Sequence, residues 1–332
     1  MNKKSRFMLA GVSLAAALTL ASCSSDLPQP EPERAPAAPD PVLTQEQLSQ
    51  ILDEVEVELT QGDVSMNPED LGDRIGGNAR DIRTAEYQIE SADPANPITV
   101  LPREDAMLVV PATDEWPRDI VVITEPPPDS QLPRVLVLQQ KTARDNFALT
   151  LWSQLLPGVS MPAMPLPEEG AKPLADDAEG FVLAPAEAGE AFTDVLAGKK
   201  EDDEDSRVEL FEADPLSKAI RDEYKTLKEG ISAVGKVKKT FEASGEPAAA
   251  FEALQGGAIV ITSVREITEF TIDSGSLNVS SETATLLDKE SVSANLETIH
   301  ELSLVFYIPT AESGDAITVL GETRDLVEAS GK

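Results

Sequence analysis

Apolar side chains recur at helical spacing soon after Thr44. Leu48, Ile51, Leu52, Val55 and Leu59 fall on one face, and Thr44 with Gln47 three residues later has the form of a capping box. This pattern predicts a helix that Gly62 stops. A second helical start lies at Pro68 and runs to about Ile75. Short runs of strand character follow: Met107 to Val110, Ile120 to Thr124 and Val135 to Gln139, with Tyr87 to Glu90 opening the sheet and Phe147 to Leu156 fitting strand or helix. The periodicity then lapses between Pro157 and Gly180, where Pro157, Pro162, Pro165, Pro167 and Pro173 gather among glycines and acids. Beyond it the order repeats. A helix begins at Pro185, buries Ala188, Phe192, Val195 and Leu196, and ends at Gly198. After the acidic loop Glu201 to Asp205, a longer helix carries Leu216, Ile220, Leu227, Ile231 and Val234 on its apolar side. Strands return at Ala258 to Ile272, Leu277 to Val279, Leu302 to Ile308 and Ile317 to Leu320.

Each half thus reads helix, helix, antiparallel meander. Runs of helices followed by runs of strands define an α+β class, not a parallel βαβ sheet. The expected organisation is a first α+β domain at 43–157, a linker at 158–180 and a second α+β domain at 181–332. A sheet covered by helices on one face leaves its alternate positions pointing into a cavity.

The first forty residues carry an address. Lys3, Lys4 and Arg6 precede an apolar run of 14 residues, Phe7 to Leu20. At 1.5 Å per residue that run reaches about 21 Å, short of the roughly 30 Å hydrocarbon core, so it reads as a signal h-region. It ends in Leu20-Ala21-Ser22-Cys23, which resembles a bacterial lipobox. Residues 1–22 are then the signal peptide, and Cys23 is the lipidation site and first residue of the mature chain. A plain secretory signal or a buried free thiol are the alternatives. Residues 23–42 comprise the acylated Cys and a stretch held extended by Pro28, Pro30, Pro32, Pro36, Pro39 and Pro41, a stalk or else a polyproline ligand.

Composition narrows the classes. The chain has 332 residues, with 27 Lys+Arg against 60 Asp+Glu, for a formal charge of −33. Such a balance repels phosphate backbones, so no nucleic-acid partner is expected. Hydrophobic residues at 41% suffice for a core. One Cys and one His permit neither a disulfide, nor a cysteine zinc site, nor a multi-histidine centre. No cofactor and no metal site is expected.

Certain segments carry a resemblance. Arg80, Arg83, Ala85, Glu86 and Tyr87, then Trp116-Pro117-Arg118, Leu155-Leu156-Pro157-Gly158-Val159 and Val319-Leu320-Gly321 look like those of a family of actinobacterial lipoproteins. The order of elements is similar to the cone-shaped fold of nuclear-transport-factor-like (cystatin-like) domains, here in tandem. The resemblance implies an envelope location and two curved sheets packed with helices; it implies no assigned chemistry.

Candidate chemistry is sparse. Gly230 to Lys236 matches the first seven positions of a phosphate-binding loop, but Val237 stands where Ser or Thr holds magnesium, and Ile231 and Val234 continue a helical stripe. His300 is the one possible imidazole base; on a strand it shares a face with Thr298, Leu302, Leu304 and Phe306. Its bland reading is a partly exposed strand residue. Glu201 to Asp205 lacks the alternate spacing of a calcium loop and reads as solvated. No Gly-x-Ser-x-Gly elbow occurs. Trp116 and Trp152 read as core, with a cavity wall as the alternative. The expectation is a non-catalytic, lipid-anchored extracytoplasmic protein, joined to the membrane through acyl chains on Cys23, that binds a small ligand or an envelope protein. The alternatives are a transporter's solute-binding lipoprotein and an enzyme built around His300.

Overall fold

A computed structural model describes residues 39–332, and from Ala38 onward the chain forms one compact unit. The signal segment, Cys23 and the stalk through residue 38 lie outside the described residues. Helix α1 (Gln45–Ser65) begins as expected: Gln47 N donates to Thr44 Oγ1, and Thr44 N donates to Gln47 Oε1. Gly62 does not stop it. The helix continues to Ser65, and Gly62 is a point of close approach, where a Cβ would lie 2.5 Å from Tyr87 Oη. Residues 68–70 form a single 3-10 turn. The second helix, α2 (Gly77–Ala92), starts later than expected and absorbs Tyr87 to Glu90. Its stripe of Ala79, Ile82 and Tyr87 is broken by a buried charge, Arg83, which hides it from a hydrophobic reading.

The first sheet is a meander of β1 (Asp105–Val109), β2 (Arg118–Thr124), β3 (Arg134–Gln140) and β4 (Ala148–Gln154), each antiparallel to the next. The second half adds α3 (Glu187–Ala197), ended by Gly198 in the left-handed region at φ 72°, and α4 (Pro215–Ile231), capped by Asp214. Its sheet holds β5 (Gly235–Ala243), β6 (Ala249–Glu252) and β7 (Ala258–Ile272). A small β8 (Leu277–Asn278), helix α5 (Ser281–Leu287) and β9 (Ser291–Val292) intervene, followed by β10 (Asn295–Ile308) and β11 (Thr318–Gly331). The strand order is β11-β10-β7-β5, with β6 pairing the far end of β7. The strands β10 and β11 outrun their apolar cores because each continues through polar residues, Glu301 and His300 on one, Arg324 and Asp325 on the other. β5, whose lysines mask its alternation, was not legible as a strand.

The fold is α+β with two meanders, but the halves share an interior. Val109, Val121, Ile123, Val135, Val137 and Leu151 of the first sheet pack against Phe251, Ile259, Ile261, Val305 and Leu320 of the second. Outside them, α1 and α2 cover the first sheet with Leu48, Leu52, Val55 and Ile82 over Ile120, Leu138 and Trp152. On the other side, α3 and α4 cover the second sheet, where Phe306 meets Phe192 and Phe211 edge to face at centroid distances of 5.1 and 5.9 Å, and Phe192 and Phe211 are tilted at 5.3 Å. The order is helix, sheet, sheet, helix. A third cluster is thus shared between the halves, beside the helix-covered cluster that each half keeps, because each sheet's second face is apolar and is buried by the other.

The expected linker is part of this contact. Ala171 N donates to Val110 O at 2.7 Å and Ala112 N to Ala171 O at 2.8 Å on one side. Leu174 N donates to Ala250 O and Glu252 N to Lys172 O on the other. Two of the motif segments also meet across the halves: Leu156 N donates to Leu320 O at 2.9 Å, and Leu155 bridges Gly321. A Cβ on Gly321 would lie 2.9 Å from Gln154 O, which explains a glycine there.

Both tryptophans lie in the first half, so their fluorescence reports that half alone. Ile261→Ala, in the second half, is expected to cost about 2–5 kcal/mol by the lost burial and cavity. The fluorescence-detected urea midpoint should fall with it. An unchanged tryptophan midpoint beside a lowered midpoint for the second half would show two independent units.

Candidate functional site

The helix-covered face of the second sheet is not uniformly apolar. Along β7 it carries Val264, Glu266, Thr268 and Phe270; opposite them on β10 stand Leu302, His300, Thr298 and Leu296. β11 contributes Arg324 and Leu326, and β5 contributes Lys239 beside Thr268. A charged band thus crosses the sheet between two apolar regions, one under α3 and one under the C-terminal part of α4.

Glu266 is the centre of that band. Its side chain is 0% exposed, and it accepts from Arg324 Nε and Nη2, both at 2.7 Å, and from Lys239, itself 2% exposed. Glu223 of α4 closes the group, its Oε2 2.9 Å from Arg324 Nη1 and 3.8 Å from Lys239 Nζ. Burial alone would raise the Glu266 carboxyl, but Arg324 and Lys239 outweigh it and hold the group below its ordinary value. Two carboxylates and two cations are thereby matched, as buried charges must be.

Beside this band lies a cavity of about 270 Å³. Its floor is His300, Thr268, Thr298 and Glu223; its walls are Leu227, Phe270, Leu296 and Leu326; the segment from Leu277 to Thr283 forms its third side. His300 Nδ1 is enclosed and has no hydrogen-bond partner among the described residues. Removal from water, followed by the positive charges of Arg324 and Lys239, pushes the imidazole down to about 4, with Glu266 opposing. At neutral pH it is uncharged, able to donate from one nitrogen and accept at the other.

The sequence singled out His300, and the structure puts it at this cavity. It did not single out Glu266, Lys239, Arg324 or Glu223. The available signal was the alternation in β7, where Glu266 and Thr268 interrupt an apolar period-two face. The other sequence candidates do not join the site. Gly230 to Lys236 is the end of α4, a turn and the first residues of β5. The loop Glu201 to Asp205 is exposed, with Asp203 accepting from Lys200 N at 2.8 Å. Trp116, expected in the core, is 40% exposed, and the Arg118 guanidinium stacks on its ring at 3.9 Å. Trp152 is fully buried, with Arg83 5.2 Å from its ring centre. The Arg80 motif is structural: its guanidinium donates to the carbonyls of Pro68, Leu71, Gly72 and Ile75, and so fixes the turn before α2. Other acids are perturbed elsewhere, among them two on the second sheet's last strand. Asp325 is pushed up to about 7 by burial and then by Glu86, and Glu322 to about 7 by burial and then by Asp214.

His300 is the chain's sole histidine, so its titration is directly observable by NMR. The expected midpoint is near 4. Because an unfolded His takes its proton near 6.5, the unfolded state binds the extra proton between the two values. The stability that His300 contributes is whole above pH 6.5 and is lost as pH falls toward 4, at up to about 1.4 kcal/mol per pH unit. Glu266→Gln is expected to lower the His300 midpoint further, since Glu266 is the neighbour that holds it up. A midpoint near 6.5 in the parent protein would overturn the buried, neutral assignment.

A family model described as a domain of unknown function, DUF8094, matches residues 39–331, which include both sheets and the whole cavity. No curated protein and no solved structure matches the chain. With the match running through the helices, both meanders and the segment that joins them, the chain belongs to the DUF8094 family.

Proposed function

We propose that this protein is a lipid-anchored, extracytoplasmic binding protein that holds a small ligand in the His300 cavity without transforming it. The observation that carries the ligand half of this reading is the state of the ionisable groups around the cavity. Glu266 and Glu223 are both ion-paired with Arg324 and Lys239, and those pairs hold the Glu266 carboxyl below its ordinary value. General acid–base work needs a group poised near the working pH, and an imidazole held near 4 is a weak base. What remains is hydrogen-bonding capacity over apolar walls, the pattern of a binding pocket.

The anchoring half rests on the sequence, where Leu20-Ala21-Ser22-Cys23 follows a charged and then apolar leader. Membership of the actinobacterial lipoprotein family, and kinship of each helix–helix–meander half with nuclear-transport-factor-like domains, belong to the same proposal. Among the described residues no helix is long and apolar enough to cross a membrane; attachment through Cys23 is proposed from the sequence of the leader alone. Two acyl chains suffice for stable retention where one does not.

The juxtaposition of His300 with Glu223 at one cavity is the observation that favours the enzyme alternative, and the ion pairing of Glu223 weighs against it. The apolar contact between the sheets weighs against a hinged, two-lobed solute-binding protein.

Cys23→Ser is expected to move the protein from the detergent phase to the aqueous phase and release it from membranes. Unchanged detergent partitioning of that variant would remove the anchor.

A further inference from the structure

We infer that the His300 cavity selects an uncharged amphipathic molecule, one with a hydroxyl-type head and a short apolar tail, over an anion or a cation of the same shape. This inference rests on the cavity being a ligand site, and it concerns which ligand chemistry that site takes.

The argument runs over the surfaces a ligand would meet. The head end is Thr268, Thr298 and His300, groups that both donate and accept hydrogen bonds and carry no charge. Thr268 and Thr298 stand directly opposite each other on β7 and β10, and His300 is the next residue on the same face of β10. The tail end is aliphatic and aromatic, supplied by Leu227, Phe270 and Leu296. The volume equals the liquid share of about nine waters at roughly 30 Å³ each, enough for a molecule of modest size.

Charge decides between heads. An anion gains little from Arg324, whose Nε and Nη2 are held by Glu266 and whose Nη1 is held by Glu223. Lys239 is likewise on Glu266. The charged side chains that line the cavity itself are Glu223, paired with Arg324, and Glu282, which is exposed, so an anion finds no cationic partner in the lining. A cation fares no better at the floor. Glu223 is already neutralised, and Arg324 and Lys239 lie behind it, the same two charges that keep His300 from taking a proton. A charged head would also lose hydration on entry, a cost that an uncharged hydroxyl largely avoids. A hydroxyl meets three groups of its own kind.

The test uses the full, untagged chain and three probes that share a six-carbon tail: 1-hexanol, hexanoate and hexylammonium. The lone imidazole reports in each NMR titration at pH 7. Hexanol is expected to shift the His300 signals saturably, and hexanoate and hexylammonium to bind on the order of tenfold more weakly or not at all. Thr298→Val removes a hydroxyl and keeps the shape, and it is expected to weaken hexanol about fivefold, the worth of one hydrogen bond. Its thermal midpoint, measured alongside, separates a lost contact from a lost fold. If hexanoate or hexylammonium binds as tightly as hexanol or tighter, the head-group inference is overturned while the cavity stands as a ligand site. If none of the three shifts His300, the cavity reading falls with it.

Discussion

The face-to-face contact between the two sheets is the constraint on which the rest depends. The inner face of each four- or five-stranded meander carries a large apolar area, and the helices cover only the outer face. Left alone, Val121, Val135 and Val137 on one sheet and Ile259, Ile261 and Val305 on the other would face water. At about 25 cal/mol per Å² of apolar surface, leaving two such faces wet is untenable for a domain of ordinary stability. Closing them together fixes where everything else goes. Helices are driven to the outside, and the proline-rich segment is held between the sheets by hydrogen bonds to both. The long strands β10 and β11 must run past the end of the shorter first sheet.

That overhang is where the chemistry lies. Within the sandwich, β10 is buried on both sides from Leu302 to Phe306 and is apolar there except for Ser303. Below it the same strand carries Glu301 on one face and His300 on the other. Glu301 Oε1 accepts from both Nε and Nη2 of Arg265, at 2.8 and 2.6 Å, and its Oε2 faces Asn78 of α2; His300 faces the charged band and the cavity. The two faces of one strand thus change from packing to ion pairing at the same point. The pairing keeps the buried charges matched without a solvent shell, and it leaves an uncharged imidazole as the group available to a visitor.

How much of this was legible follows from where charge enters the pattern. α1, α3 and the central strands were readable because their buried positions are apolar and periodic. α2 was displaced because Arg83 and Tyr87, both buried, are polar members of its inward face. The ends of β10 and β11 were lost for the same reason: the sequence reading bounds these strands at Leu302 and Leu320, short of the polar residues that include His300 and Arg324. β5 was hidden by Lys236, Lys238 and Lys239, of which Lys239 alone is buried. Gly62 shows the opposite failure: a residue with a strong local meaning was used for close packing against Tyr87. The shared core was beyond sequence reasoning altogether. The inner faces of both sheets are apolar whether each seals its own domain or the other's, and nothing local distinguishes the two. The candidate site was legible in one residue of its floor, because a lone histidine draws notice where one more glutamate among 60 acids does not.

The pairing of Pro41 with Ala112, secured by Val42 N donating to Pro111 O at 2.9 Å, gives the chain a mechanical character. Tension arriving along the segment before Pro41 would first meet the 110–112 backbone, which is itself laced to Ala171. The load would spread through the rim of the first sheet and the strap between the sheets. The cavity lies on the far face of the second sheet, several layers from that line of force. A pull on Pro41 would thus strain the hydrogen bonds of Val42, Ala112 and Ala171 first, and the pocket on the far face would keep its shape.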